Sequence, residues 1–389
     1  MTLAAGGQGA PRLHPPSYRH TSLPQVLPAI AESLGESLGP GRAGDIALPP
    51  AQSAVVVLLD GLGLELLKRR AGHAPYLRSL LPSATELTCG FPSTTATSLA
   101  SLGTGLAPGV HGLLGYELRR PDTGAIFDHL SWEGGPDPLV WQPNQTAFEE
   151  LARCGLDVVR IGLARFDGSG LTVAAQRGGR FRGAGSLSAG VREAVRAVRA
   201  MKRGVVYLYW GDIDRAGHMS GLSSPQWVAA LEEADAALRA LAEQVPRHTS
   251  VTITADHGMV DVPFADRIDL ATDPELAAGV HAITHEPRAP HVYCEPGAVA
   301  SVAATWTTRL AGAASVLTRE QAIDEAWFGP MSAANAPRIG DLMVVMGPTG
   351  AIEDSRTSKP ILLQLIGLHG SVTQDEIAVP LLHQPAVAP

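Results

Sequence analysis

Carboxylates and imidazoles recur at one kind of place along this chain, the end of a short apolar run. Asp60 closes Ala54–Leu59, Asp212 and Asp214 follow Val205–Trp210, and Asp256-His257 closes Ser250–Ala255. Oxygen and nitrogen donors of these types bind divalent cations. Asp214 and His218 stand four residues apart with Gly217 between, so both reach one ion from a helical turn or from a loop. Asp256 and His257 are adjacent, and reach one ion only from an irregular turn. Any one of these ends, taken alone, reads as a turn residue or helix cap, and a lone Asp-x-x-x-His as a surface ion pair. Three ends in one parallel sheet meet at the same edge, where ligands bind.

A second unusual stretch runs from Phe91 to Pro108. Ser93, Thr94, Thr95, Thr97 and Ser98 crowd a helix start just after Pro92, and Gly103 and Gly105 stand where the helix stops. One reading is an over-provided N-cap, filled by Ser93 or Thr94. The other is a hydroxyl nucleophile at a helix N-terminus, where free N–H groups attract a phosphoryl group. A threonine hydroxyl is a weak nucleophile at neutral pH and needs a base or a metal beside it.

The elements that must position these groups follow from the apolar pattern. Ala54–Leu59, Val158–Leu163, Val205–Trp210 and Ser250–Ala255 are apolar on both faces, as central parallel strands are, and Leu342–Met346 is a further apolar run. Helical patterns lie between them over Leu62–Arg70, Leu187–Met201 and Gln226–Val245. The alternation predicts an α/β fold, a doubly wound, mainly parallel sheet with helices on both faces. Residues 1–50 read as an irregular lead-in with one helix near Leu23–Leu38, ended at Gly39-Pro40-Gly41. Residues 51–260 and 339–380 read as the core, and 261–338 as an insertion or small cap.

With 389 residues, 45% of them hydrophobic and 17% charged, the chain is long and apolar enough for a sizeable core, which excludes a mainly disordered protein. A net charge of −8 argues against a nucleic-acid polymer or an anionic membrane as partner. The basic residues are arginine apart from Lys68, Lys202 and Lys359. Cys89, Cys154 and Cys294 form no CxxC pair, and no stretch reads as a secretory signal or a membrane span. The expected location is cytoplasmic.

Taken in order, these motifs resemble the alkaline phosphatase superfamily. They are Asp60-Gly61, Pro92-Ser93-Thr94-Thr95, Gly103-Thr104-Gly105-Leu106, His111-Gly112, Asp214-x-x-x-His218, Asp256-His257-Gly258-Met259 and His369-Gly370-Ser371. Within that superfamily the chain is most similar to the nucleotide pyrophosphatase/phosphodiesterase family, from about Ala54 to Ser371. The resemblance implies two zinc ions, with manganese as the alternative. Asp60, Thr95, Asp256 and His257 would hold one ion, and Asp214, His218 and His369 the other. Thr95, nine residues before Thr104, would be the nucleophile and form a phospho-threonine. Tyr116 stands where the family usually has a phosphoryl-binding asparagine. The implied partner is a small phosphoester of nucleotide type.

Rival readings keep the same cage: a phosphomonoesterase, a phosphate-transferring mutase (a branch that prefers serine, which Thr95 weighs against), or a non-catalytic metal-binding relative. Asp212 reads as a supporting or capping residue. Trp132 and Trp141 read as packing rather than stacking on a ligand, and His285, Arg288 and His291 as a solvated loop. His14 and His20 are given no role.

Overall fold

In the computed structural model, residues 13–387 are described, apart from 19, 40, 41 and 43. The β-branched run Ser53–Leu59, buried at every position, forms the middle of a seven-stranded sheet. The sheet order is Thr85–Thr88, Ala378–Gln384, Thr249–Thr254, Ser53–Leu59, Gly204–Trp210, Asp157–Gly162 and Arg180–Gly183. Every strand is parallel to its neighbours except Ala378–Gln384, which runs antiparallel to both of the strands it pairs with. The result is the mainly parallel α/β sheet, flanked by helices, that the sequence predicts.

Register fixes where the chemistry lies. Ser53 pairs with Gly204 on one side and Thr249 on the other, so the three central strands start level and finish level. Leu59 stands beside Trp210, and Leu58 beside Thr254. Asp60, Gly211-Asp212 and Ala255-Asp256 therefore leave the sheet at one edge.

Helices form close to where the periodicity puts them. Leu187–Ala200 packs on Gly204–Trp210 and Asp157–Gly162, and Pro225–Gln244 is capped by Ser224 Oγ, which accepts from Trp227 N at 3.1 Å. The lead-in helix is shorter than predicted. A 3₁₀ turn at Leu23–Gln25 runs into Val26–Ser33, and the chain turns at Gly35 with φ +76°. Of the predicted breaker, Pro40 and Gly41 lie outside the described residues. Leu23, Leu27 and Ile30 are fully buried in the main core, so this segment is part of the fold and not a loose leader.

Residues 261–338 are more regular than expected. Val280–Ile283, His291–Cys294 and Ala314–Thr318 form an antiparallel sheet whose remaining strand is Leu342–Met346. That apolar run belongs to this smaller sheet and not to the large one. Helix Val299–Arg309 covers the sheet, and Trp306, Val302, Leu342 and Val344 share a second apolar cluster. Among the described residues no helix is long and apolar enough to cross a membrane.

Candidate active site at the sheet edge

Three turns at the common edge are tied directly to one another. Gly61 N donates to Asp256 Oδ1 at 3.0 Å, and Asp214 N donates to the Asp60 carbonyl at 3.2 Å. Gly61 has φ +73°, and a Cβ there would stand 2.9 Å from Asp214 Cα. Only glycine permits both that backbone and that approach. Asp214 and His218 lie one turn apart on helix Asp212–Ser220, and His369 follows the short strand Gly367–Leu368.

Six ligand-type side chains converge. His257 Nε2 lies 3.5 Å from Asp60 Oδ1 and 3.5 Å from Asp256 Oδ2. His218 Nε2 lies 3.3 Å from Asp214 Oδ1 and 3.2 Å from His369 Nε2. The His257 and His369 rings stack at 3.7 Å. Two groupings have donor atoms all within 4.8 Å: Asp214, His218 and His369, and Asp60, Asp214 and His257. Asp214 stands in both, between the two ligand sets that the resemblance implies.

The unsatisfied atoms of this cluster fit a cation. Each imidazole donates Nδ1–H to a backbone carbonyl: His218 to Gly367 at 2.7 Å, His369 to Ser93 at 2.8 Å and His257 to Gly258 at 2.9 Å. Those bonds fix the tautomer and leave every Nε2 lone pair facing the cluster. Asp60 Oδ1, Asp214 Oδ1 and Asp256 Oδ2 are buried with no hydrogen-bond partner. Burial, and then the charges of Asp256 and Asp214, hold the Asp60 carboxyl well above the usual carboxylate range. Burial also raises Asp256, and it depresses His369 well below the ordinary imidazole value, with His257 and His218 adding to the effect. Buried like charges and opposed lone pairs are costly unless a cation lies among them.

Thr95 is the first residue of helix Thr95–Thr104, and its Oγ1 lies 3.2 Å from His257 Nε2. The capping alternative is not realised. Thr94 occupies the N-cap position with extended backbone, but its side chain accepts no helix N–H. Ser93 Oγ instead donates to the Ser371 carbonyl at 2.6 Å and accepts from Gly370 N at 3.1 Å, tying the His369 loop down. The N–H groups of this first turn therefore carry no side-chain cap and stay available to an anion. Gly105, at φ +67°, ends the helix, but Gly103 does not: a Cβ there would stand 2.0 Å from the Ala175 carbonyl oxygen, so its role is close packing.

A cavity of about 550 Å³ opens beside Asp60, Thr95 and Asp214 and runs over Tyr209, Tyr207 and Phe181. The family model for type I phosphodiesterase / nucleotide pyrophosphatase matches residues 54–372. The chain belongs to that family. A Schizosaccharomyces pombe protein described as an uncharacterized pyrophosphatase/phosphodiesterase is 25% identical over 224 residues, 54% of this chain and 45% of that protein. The chain thus matches a little under half the length of that curated relative. Murine ectonucleotide pyrophosphatase/phosphodiesterase 5, solved in complex with AMP, superposes with a TM-score of 0.68 at 19% identity, over 85% of this chain and 87% of that one. Phosphonoacetate hydrolase from Sinorhizobium meliloti, solved with phosphonoacetate, gives 0.67 at 19%, over 87% and 91%.

Other side chains of this phosphodiesterase-family chain lie outside the cluster. Tyr116 is not among the residues lining the cavity; its backbone N–H donates to Glu286 Oε2 at 3.0 Å. Trp132 and Trp141 pack on Phe127, away from the cavity. Arg288 and His291, read as solvated, are fully buried. Arg288 bridges Glu376, at 2.6 Å, and the carbonyls of Gly347 and Gly350, while His291 Nε2 meets the Leu114 carbonyl at 2.8 Å. Asp212 accepts from Trp210 Nε1 at 2.7 Å, a supporting role as read. Tyr209, whose hydroxyl holds Asp60 Oδ2, belongs to none of the motifs that mark the site in the sequence. Its signal was alternation: Tyr207 and Tyr209 put two phenols on one face of a buried strand.

Proposed function

We propose that the chain is a divalent-metal-dependent hydrolase of phosphodiester or pyrophosphate bonds with Thr95 as nucleophile. One observation carries this reading: six ligand-type side chains converge, three of them carboxylates with an unpartnered buried oxygen, and one of the six, His257, meets a threonine hydroxyl at an uncapped helix start. Family membership and the AMP and phosphonoacetate held by its structural neighbours support a small phosphoester substrate of nucleotide type.

Asp60, Thr95, Asp256 and His257 would hold one cation, and Asp214, His218 and His369 the other. Oxygen and nitrogen donors without thiolate suit zinc, with manganese as the alternative. Divalent cations held there would lower the pKa of a neighbouring hydroxyl and offset charge on phosphoryl oxygens. The chain's own groups do the rest. The helix start presents N–H donors to the phosphoryl oxygens, and Tyr209 orients Asp60. Thr95 Oγ1 attacks phosphorus and forms an Oγ1–P bond as the leaving oxygen departs, and water later breaks that bond, releasing a phosphomonoester and restoring the Thr95 hydroxyl. The three cysteines are unpaired, which supports a reducing, cytoplasmic setting.

The test is hydrolysis of an aryl nucleotide phosphodiester against an aryl phosphomonoester, with defined zinc or manganese. Faster diester cleavage, falling at least ~10³-fold in Thr95→Ala, is expected. Faster monoester cleavage would move the function to a phosphatase. Full activity in Thr95→Ala would overturn the nucleophile, and full activity after chelation the metal dependence.

A further inference from the structure

The proposed chemistry uses Asp60, Thr95 and Asp214 on the cavity wall and leaves idle a buried cation on the same wall. Arg160 sits in strand Asp157–Gly162, in register with Tyr207 on the neighbouring strand, and forms part of the same cavity wall as Thr95 and Asp214. Its residue is 7% exposed. Nε donates to the Gly178 carbonyl at 2.7 Å, but the buried Nη1 has no hydrogen-bond partner. Among the described residues no carboxylate lies within ion-pair distance of it, and its guanidinium stands 5.6 Å from the Phe181 ring centroid. Asp167 acts on it only from farther off, and a buried guanidinium with no paired carboxylate is costly until an anion completes it. Gln176 Nε2 donates to the Tyr207 hydroxyl at 3.2 Å, and among the described residues the only hydrogen bond that Arg160 makes from its side chain is the one to Gly178. Arg165, which also lines the cavity, stands over the Phe166 ring at 5.1 Å and likewise lacks an ion pair among the described residues.

Resting on the hydrolase reading above, we propose that Arg160 receives a second anionic oxyacid group of the substrate, remote from the reacting phosphorus. The preferred substrates then carry two separated anions: the phosphoryl group at Thr95 and a carboxylate or phosphate at Arg160. Arginine suits either, because its planar fork matches both oxyacids. Tyr207 and Phe181 fill the span with flat apolar surface.

The experiment uses three esters with the same reacting phosphorus and the same nitrophenolate readout. These are bis(4-nitrophenyl) phosphate and its analogues with one ring bearing a 4-carboxylate or a 4-phosphonate. The wild-type protein should favour one or both charged esters in kcat/KM over the bis(4-nitrophenyl) ester. Arg160→Met should cut that ratio by about 10- to 100-fold, the worth of a charge-assisted hydrogen bond. Arg160→Lys should keep part of it. Preference for the carboxylate or for the phosphonate ester alone names the source of the anion. The proposal is overturned if the wild type shows no preference, or if Arg160→Met slows all three esters by the same factor, as a packing role would. If no ester is cleaved, the hydrolase reading fails on its own. Calorimetry of 4-carboxyphenyl and 4-phosphonophenyl phosphate against phenyl phosphate then decides the anion site, and equal affinities would refute it.

Discussion

Replacing Asp60 with asparagine separates a side-chain cluster built for a cation from one that is merely packed. Asp60 Oδ2 accepts from the Tyr209 hydroxyl, and an amide oxygen keeps that bond; Oδ1 has no partner. The ligand oxygens of Asp60 and Asp214 lie within 4.8 Å. Two unit charges at that separation repel by ~3 kcal/mol at an effective dielectric constant of ~20. In the chelated protein the carboxyl escapes part of this by taking up a proton, since burial and its acidic neighbours already raise its pKa. Asp60→Asn should therefore stabilise the chelated protein by ~1–3 kcal/mol at pH 8. In saturating zinc the order should reverse. A cation at 100 times its Kd stabilises the wild type by ~2.7 kcal/mol, and a variant short of one anionic ligand gains less. Urea unfolding followed by tryptophan fluorescence, with chelator and with zinc, measures both. An Asp60→Asn protein less stable than wild type under chelation would refute the argument that these carboxylates are assembled against their own repulsion.

Two further substitutions test how the site is supported. Gly103→Ala would place a Cβ 2.0 Å from the Ala175 carbonyl oxygen, forcing helix Gly170–Gln176 away from helix Thr95–Thr104. Urea titration should show a loss of ~1–3 kcal/mol, with a raised KM because both helices line the cavity. Burial lifts the Glu286 carboxyl from its ordinary 4.5 to about 8, so the fold favours its protonated form. That preference stabilises fully below pH 4.5 and is lost as pH rises to about 8. Relative to Glu286→Gln, the wild type should lose up to ~1.4 kcal/mol per pH unit across that window. A flat difference would show that Glu286 is ionised and paired in the fold.

The strand-end residues were legible because they need only two facts, which runs are buried strands and that parallel strands deliver their ends to one edge. Asp60, Asp214 and Asp256 satisfy both, and the register that levels Leu59 with Trp210 makes the inference geometric. Two strands of the sheet were not legible. Arg180–Gly183 is short and partly exposed, so it lacks the apolar run that marks a central strand. Ala378–Gln384 carries Pro380, which argues against a strand, yet here it pairs with Glu86 between two antiparallel partners. The lead-in helix was cut short because the turn at Gly35 comes before the Gly-Pro-Gly signal. Arg288 read as solvated because its partner Glu376 is distant in sequence, and no local pattern announces a buried ion pair.

Arg160 marks the boundary between these cases. A charge in the buried interior of Asp157–Gly162, past the exposed Asp157, is visible in the sequence as a conflict between pattern and residue type. Such conflicts have two resolutions: a counter-charge supplied elsewhere in the fold, as Glu376 supplies for Arg288, or one supplied from outside. The buried pair shows that this chain can neutralise an internal guanidinium when stability is all that is at stake. Leaving Arg160 Nη1 without a partner, on the wall of the cavity that holds Thr95, therefore assigns the missing anion to the substrate. By the same reasoning the three unpartnered carboxylate oxygens of Asp60, Asp214 and Asp256 call for a cation among them. The cavity and the cluster beside it thus pose two opposite electrostatic demands, a cation among the carboxylates and an anion for Arg160.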